Sequence, residues 1–173
     1  MLRSFALLAI WVVSAASAMA ADHLIPWSEF TPAEKRLPPS WKLASGKLFD
    51  IREEGGVVVV RATAQEGALV IATHEFPLPA GTRRLTLTGR IRSEALVEGP
   101  APSNVGRVAL QLFAGSHRVD DQVHTVSGTS DWKPFRITVP VAAGVDKVQV
   151  HFGSLKAKSG TVDVSDLDLT AGP

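Results

Sequence analysis

The chain has 173 residues, 45% hydrophobic and 20% charged, with a formal charge of +1; this suits one folded domain and excludes a disordered chain. There is no Cys, which excludes disulfides, thiolate metal sites, Cys nucleophiles and lipidated cysteines. Tyr is absent as well, and 14 Gly with 11 Pro supply turns on the scale of an all-β chain.

Met1-Leu2-Arg3 carries one positive charge, Phe5 to Val13 is apolar, and small residues run to Ala18-Met19-Ala20 before Ala21-Asp22. This is the n-region, h-region and A-x-A pattern of a secretory signal peptide over residues 1–20. An alternative cut follows Ala18. The apolar run is shorter than the roughly 20 residues a helix needs to cross a bilayer, and no other segment reads as a membrane span. Export follows, to the periplasm or the outside. Residues 21–173 then carry 17 basic and 17 acidic side chains, so no global positive field points to nucleic acid.

Residues 21–46 read as an irregular, Pro-rich entry to a single domain spanning 21–173. Thr31-Pro32-Ala33-Glu34 fits a capping box with Pro at the first helical position, and Pro38-Pro39 stops that helix after a turn or two. From there the chain reads as strands: Lys47–Arg52, a turn at Glu53-Glu54-Gly55-Gly56, Val57–Thr63, Ala68–Thr73 and Arg84–Arg92. Arg107–Phe113, Val119–Val126, Trp132–Val139, Asp146–Phe152 and Thr161–Leu169 follow, each set off by Gly, Pro or Ser-rich turns.

Several runs alternate with period two, as strands with one buried face do. Leu85, Leu87 and Ile91 oppose Arg84, Arg90 and Arg92; Val108, Leu110 and Leu112 oppose Arg107, Ala109 and Gln111; Val148, Val150 and Phe152 oppose Lys147, Gln149 and His151. A slip of one residue would bury Arg84, Arg90 and Arg92, so the facing is strongly specified. Nine such strands predict an all-β fold, an antiparallel β-sandwich. No internal repeat and no linker is evident.

The stretch Gly128-Thr129-Ser130-Asp131-Trp132-Lys133-Pro134-Phe135 through Pro140 resembles the G-T-x-x-W-x-x-F/Y segment of carbohydrate-binding modules with the galactose-binding jelly-roll fold. Gly160-Thr161-Val162-Asp163-Val164-Ser165-Asp166-Leu167-Asp168-Leu169 resembles their last strand, and Arg84 to Ile91 is more loosely similar to an upstream strand. The likeness covers roughly residues 41–170. It implies a jelly roll in which the strands beginning near Ala68, Asp146, Arg107 and Val119 form one sheet with a ligand-binding outer face. On that face the resemblance places Gln111, Phe113, Gln122, His124, Gln149 and His151. Amide and imidazole groups both donate and accept, which suits sugar hydroxyls, and Phe113 offers an apolar platform. A merely solvated polar face is the bland alternative.

The resemblance gives Trp132 a packing role, and Trp27 and Trp41 read as a lid over one end of the core, with a loop-borne sugar platform as the alternative. Asp166 and Asp168, with Asp163, supply the hard oxygens of a structural Ca²⁺ site, although the dense D-x-D-x-D-G loop is missing and solvated acids are the plainer reading. His124, His151 and Asp120 are a weaker metal set, since nothing fixes a third ligand. The Arg83, Arg84, Arg90 and Arg92 stripe reads as a solvated outer face, with an anionic polysaccharide as its alternative partner. No G-x-S-x-G, H-E-x-x-H or P-loop occurs.

The expectation is therefore a secreted, non-catalytic protein whose partner is a polysaccharide or oligosaccharide, with no cofactor beyond that candidate calcium. An envelope protein-interaction module on the same fold is the alternative, and a polysaccharide-cleaving enzyme the third.

Overall fold

A computed structural model describes residues 22–34 and 37–173; the signal-peptide reading of residues 1–20 lies outside them. The expected nine strands are all present, with two short additions. In chain order they are β1 (Asp22–His23), β2 (Lys42–Ala44), β3 (Phe49–Glu54), β4 (Val57–Thr63), β5 (Leu69–Pro77), β6 (Arg84–Val97), β7 (Gly106–Ala114), β8 (His117–Val126), β9 (Gly128–Pro140), β10 (Lys147–Leu155) and β11 (Ser159–Gly172). The capping-box segment forms only a short 3-10 turn, Pro32–Glu34.

The strands make two antiparallel sheets. One runs β3-β4-β11-β6-β9 with β1 on β11, and the other runs β2-β5-β10-β7-β8. The second contains the four strands that the jelly-roll resemblance groups together, plus β2. Successive strands mostly cross from sheet to sheet; the hairpins β3–β4 and β7–β8 stay within one. At β3–β4 the turn residues Gly55 and Gly56 have φ of 59° and 81°. Both central residues are therefore left-handed, the geometry that joins twisted strands with two residues.

The inward faces follow the alternation. Leu85, Leu87 and Ile91 on β6, Val148 and Val150 on β10, and Val108 and Leu110 on β7 are each 0% exposed. Each such side chain contributes about 1.5–3 kcal/mol of burial. The irregular N-terminal segment closes one side of the sandwich. Phe30 and Trp41 are buried in the core, and Trp27 packs against it. The Trp41 ring lies 5.2 Å from Phe152 and 5.4 Å from His74. The two indoles thus serve as a lid on the core.

Two loops between the sheets share a short sequence pattern without making an internal repeat. Pro77-Leu78-Pro79-Ala80-Gly81-Thr82-Arg83-Arg84-Leu85 matches Pro140-Val141-Ala142-Ala143-Gly144-Val145-Asp146-Lys147-Val148 in pattern. These are two of the crossovers between the sheets, β5 to β6 and β9 to β10, and they bond reciprocally. Leu78 N donates to Asp146 O (3.1 Å), and Val141 N donates to Arg83 O (2.8 Å). The likeness is too short to stand out in sequence, and only the crossing of the loops reveals it.

Candidate functional site

Cross-strand partners share a face, so the register defines the outer surface of the five-stranded sheet in rows. One row is Glu75, Gln149, Gln111 and Asp121; the next is Thr73, His151, Ala109 and Val123. Below them run Ile71, Gly153, Arg107 and Thr125, and above them Pro77, Lys147, Phe113 and Arg118. Gly153 adds no side chain to its row and its φ is 136°. A Cβ there would sit 2.1 Å from Val70 O.

Gln111, Phe113, Gln149 and His151 therefore lie together, as the resemblance implies. Gln111 is 7% exposed, framed by its neighbours. The Phe113 ring is not a bare platform, because Lys147 Nζ stands 5.4 Å from its centroid. Lys147 also pairs with Glu75 at 3.3 Å. Burial, reinforced by the charge of Arg107, pushes the His151 imidazole down to about 4.

Gln122 and His124 do not join them. Their cross-strand partners are Leu110 and Val108, which face the core, so both side chains are on the opposite side of the sheet. Counting Val119 and Val123 as inward residues leads to the other phase. In the structure β8 is an edge strand with a register shift opposite Leu112 and Phe113. Its valines lie outside the core, Val119 at 53% and Val123 at 40% exposure. At the rim His124 stacks on Phe135 of β9, ring centroids 5.4 Å apart, and Asp120 Oδ1 accepts from Gln122 Nε2 (3.0 Å). The set His124, His151 and Asp120 is consequently divided between two faces.

Two residues that sequence reasoning passed over complete the face. Arg107 precedes Gln111 at the same strand phase, so alternation alone places it there. Asp121 needed the β7–β8 register, which no local signal provides. Arg107 Nη2 stands 3.9 Å from Asp121 Oδ1, beyond hydrogen-bond reach. Arg107 Nε and Asp121 Oδ1 are both buried without a hydrogen-bond partner.

The outer face of the other sheet is a closed ion network. Asp163, 1% exposed, receives Arg61 (2.7 and 2.8 Å), Arg92 (2.7 Å) and Arg52 (3.1 Å). Glu54 bridges Arg92 and Arg52. Burial alone would push the Asp163 carboxyl up; hydrogen bonds from Arg61 and then Arg92 outweigh it and hold it below the usual carboxylate range. Trp132 is not in the core: it lies half-buried on this outer surface, with Arg92 4.6 Å and Arg90 5.3 Å from its ring centroid. The arginine stripe is thus partly consumed by Asp163, Glu54 and Trp132.

The acids of β11 are dispersed rather than convergent. Asp168 Oδ1 meets His23 Nδ1 at 2.8 Å, and Asp166 sits at the register shift with φ 54° and takes the Ser165 hydroxyl (3.1 Å). Among the described residues no group of three or more His, Cys, Asp or Glu side chains is placed to hold a metal ion. Asp166 and Asp168 therefore gain no third carboxylate from the fold.

No protein-family model matches the chain, and no curated protein does. Solved structures do. An enzymatically active domain of bacteriophage CBA120 tailspike protein 4 has a TM-score of 0.57 at 10% identity over 77% of this chain, which spans 19% of that protein's length. A family 61 carbohydrate-binding module in complex with β-1,4-galactotriose has a TM-score of 0.50 at 16% identity, covering 79% of this chain and 91% of that one. A family 16 carbohydrate-binding module has 0.51 at 12% identity, over 70% and 84%. These likenesses establish the fold: an all-β jelly-roll sandwich of the type found in carbohydrate-binding modules.

Proposed function

We propose that this chain is an exported, non-catalytic protein that binds a poly- or oligosaccharide on the outer face of β5, β10, β7 and β8. One observation carries the reading. Gln111 is the direct cross-strand partner of Gln149, and His151 follows on the same face of β10, so three groups able to donate and accept are adjacent. Such groups suit the alternating hydroxyls of a sugar. Glu75, beside Gln149, and Thr73, beside His151, extend the two rows toward β2. The galactotriose complex of a module with this fold lends support, although fold alone does not give function. Affinity is modest, because each hydrogen bond to sugar replaces one to water.

The test is a glycan and polysaccharide panel probed with the exported protein, with and without Ca²⁺. Selective retention supports the reading, and a folded sample that binds no saccharide refutes it. A second reading, an envelope protein-interaction module, draws on the open edge of β8, where Val119 and Val123 are exposed. An unpaired edge is a template for strand addition, and pull-down of one envelope protein, lost on Val123→Lys, would favour it.

A further inference from the structure

Resting on the saccharide reading, we infer that the ligand is acidic: a hexuronate-containing oligosaccharide whose carboxylate docks at Arg107 and Arg118 while its hydroxyls meet Gln111, Gln149 and His151.

The charge on this face is unbalanced in a localised way. Lys147 has Glu75. Asp121 alone serves two arginines, 3.3 Å from Arg118 Nη1 and 3.9 Å from Arg107 Nη2. A second carboxylate at that end would leave each guanidinium with one anionic partner. The opposite sheet shows a tighter arrangement, with Asp163 and Glu54 holding Arg61, Arg92 and Arg52 at hydrogen-bond distance.

Arg107 is also unsatisfied in geometry. Its side chain is 12% exposed and its Nε is buried with no hydrogen-bond partner. Buried donors are nearly always paired, and a cation withdrawn from water without a partner is costly. A guanidinium presents a planar fork that fits a carboxylate with two parallel bonds. Gly153, its cross-strand neighbour on β10, carries no side chain over the Arg107 stem.

The spacing suits a short chain of sugars. The backbones of Arg107 and Gln111 are four residues apart on one strand face, about 13 Å at 3.3 Å per residue, and the Arg107 side chain extends along that span toward Asp121, the cross-strand partner of Gln111. A uronate carboxylate at the Arg107 guanidinium would then sit beside the row that holds Gln111 and Gln149, so the same sugar or the next one along meets those amides.

The experiment is titration calorimetry of the exported protein with oligomers of galacturonate, glucuronate, mannuronate and guluronate, each alongside its carboxyl-reduced form. A sulfated oligosaccharide is the third probe. Expected is binding of at least one uronate oligomer, weakened about tenfold or more on carboxyl reduction and equally by Arg107→Gln. Arg107→Lys should recover only part of that loss, because it restores charge without the fork. Arg118→Gln, at a side chain 53% exposed, cannot threaten folding, and should cost about threefold or more; it decides the matter if Arg107→Gln proves unstable by near-ultraviolet circular dichroism. Arg136→Gln on the other sheet should change nothing. Equal binding of the reduced oligomers overturns the acidic ligand while leaving the saccharide reading intact. Equal binding of the sulfated probe, with full affinity in Arg107→Lys, overturns carboxylate docking in favour of plain charge attraction. Binding of no saccharide at all overturns both readings.

Discussion

Arg61 donates from Nε to Asp163 Oδ1 at 2.7 Å, tying β4 to β11 through a carboxylate that is 1% exposed. Because Arg92 of β6 and Arg52 of β3 bond the same carboxylate, one side chain joins four neighbouring strands. Asp163→Asn removes the charge that three guanidinium groups share and leaves them half-buried. Breaking such a set from one side costs about 3–5 kcal/mol. Glu94→Gln, at a carboxylate 69% exposed, should stay within about 0.5 kcal/mol. Urea melts of both variants check this; equal midpoints would show the network to be energetically idle.

Acid should weaken the fold before carboxylates begin to titrate. Burial lowers the pKa of His151 to about 4 and lowers those of His74 and His124 as well. Between the ordinary histidine value near 6.5 and about 4, the unfolded chain binds a proton at His151 that the folded chain does not. Stability therefore rises with pH across that window and is lost as pH falls through it, by at most about 3 kcal/mol for His151. Asp163, whose pKa is depressed, adds a further loss below the normal carboxylate range. Melting temperatures from pH 7.5 to 4 measure the slope, and His151→Gln should flatten it.

Saccharide affinity should discriminate between the two sides of the five-stranded sheet. The double change Gln111→Ala with His151→Ala is expected to abolish binding while the protein stays folded. Gln122→Ala with His124→Ala, on the reverse side at the β8 rim, is expected to leave affinity within about twofold, as remote sites do. Affinity electrophoresis of the two variants on the same glycan makes the comparison, and the opposite ranking would move the site to the rim.

Gly153→Ala should be among the most damaging single changes in the sheet. Its φ of 136° and the 2.1 Å approach of the added Cβ to Val70 O combine a disfavoured backbone with a clash against main chain, and a loss of about 3 kcal/mol is expected. Gly144→Ala, also at positive φ (86°) but with open space around it, should cost about 1 kcal/mol. Thermal midpoints of the pair separate steric from conformational cost.

Much of this architecture is local in origin and so was legible residue by residue. Leu85, Leu87, Ile91, Val148 and Val150 alternate with charges and amides, and the price of burying Arg84 or Arg90 specifies which way each strand faces. Gly55-Gly56 announces its turn because only glycine takes two left-handed residues cheaply. Gln111, Gln149 and His151 inherit their common face from the same alternation, once the resemblance sets β7 beside β10.

Where the reading failed, the deciding contact lay far away in the chain. Gln122 and His124 were misplaced because an edge strand has no second neighbour and little core to hold Val119 and Val123 inward. Trp132 is the exception: it is at the opposite phase from Phe135, Ile137 and Val139, whose side chains are buried, so alternation alone faces it outward beside Arg90 and Arg92. The ligation of Asp163 by Arg52, Arg61 and Arg92 joins residues 71 to 111 positions apart, and Asp121 reaches Arg107 only through the β7–β8 pairing. Sequence by itself determined which residues face in on the doubly flanked strands β6, β7 and β10, because burial acts on each side chain in turn. Tertiary structure decided which charges meet, because Coulombic and hydrogen-bond partners are selected by register and sheet order, which no local window contains.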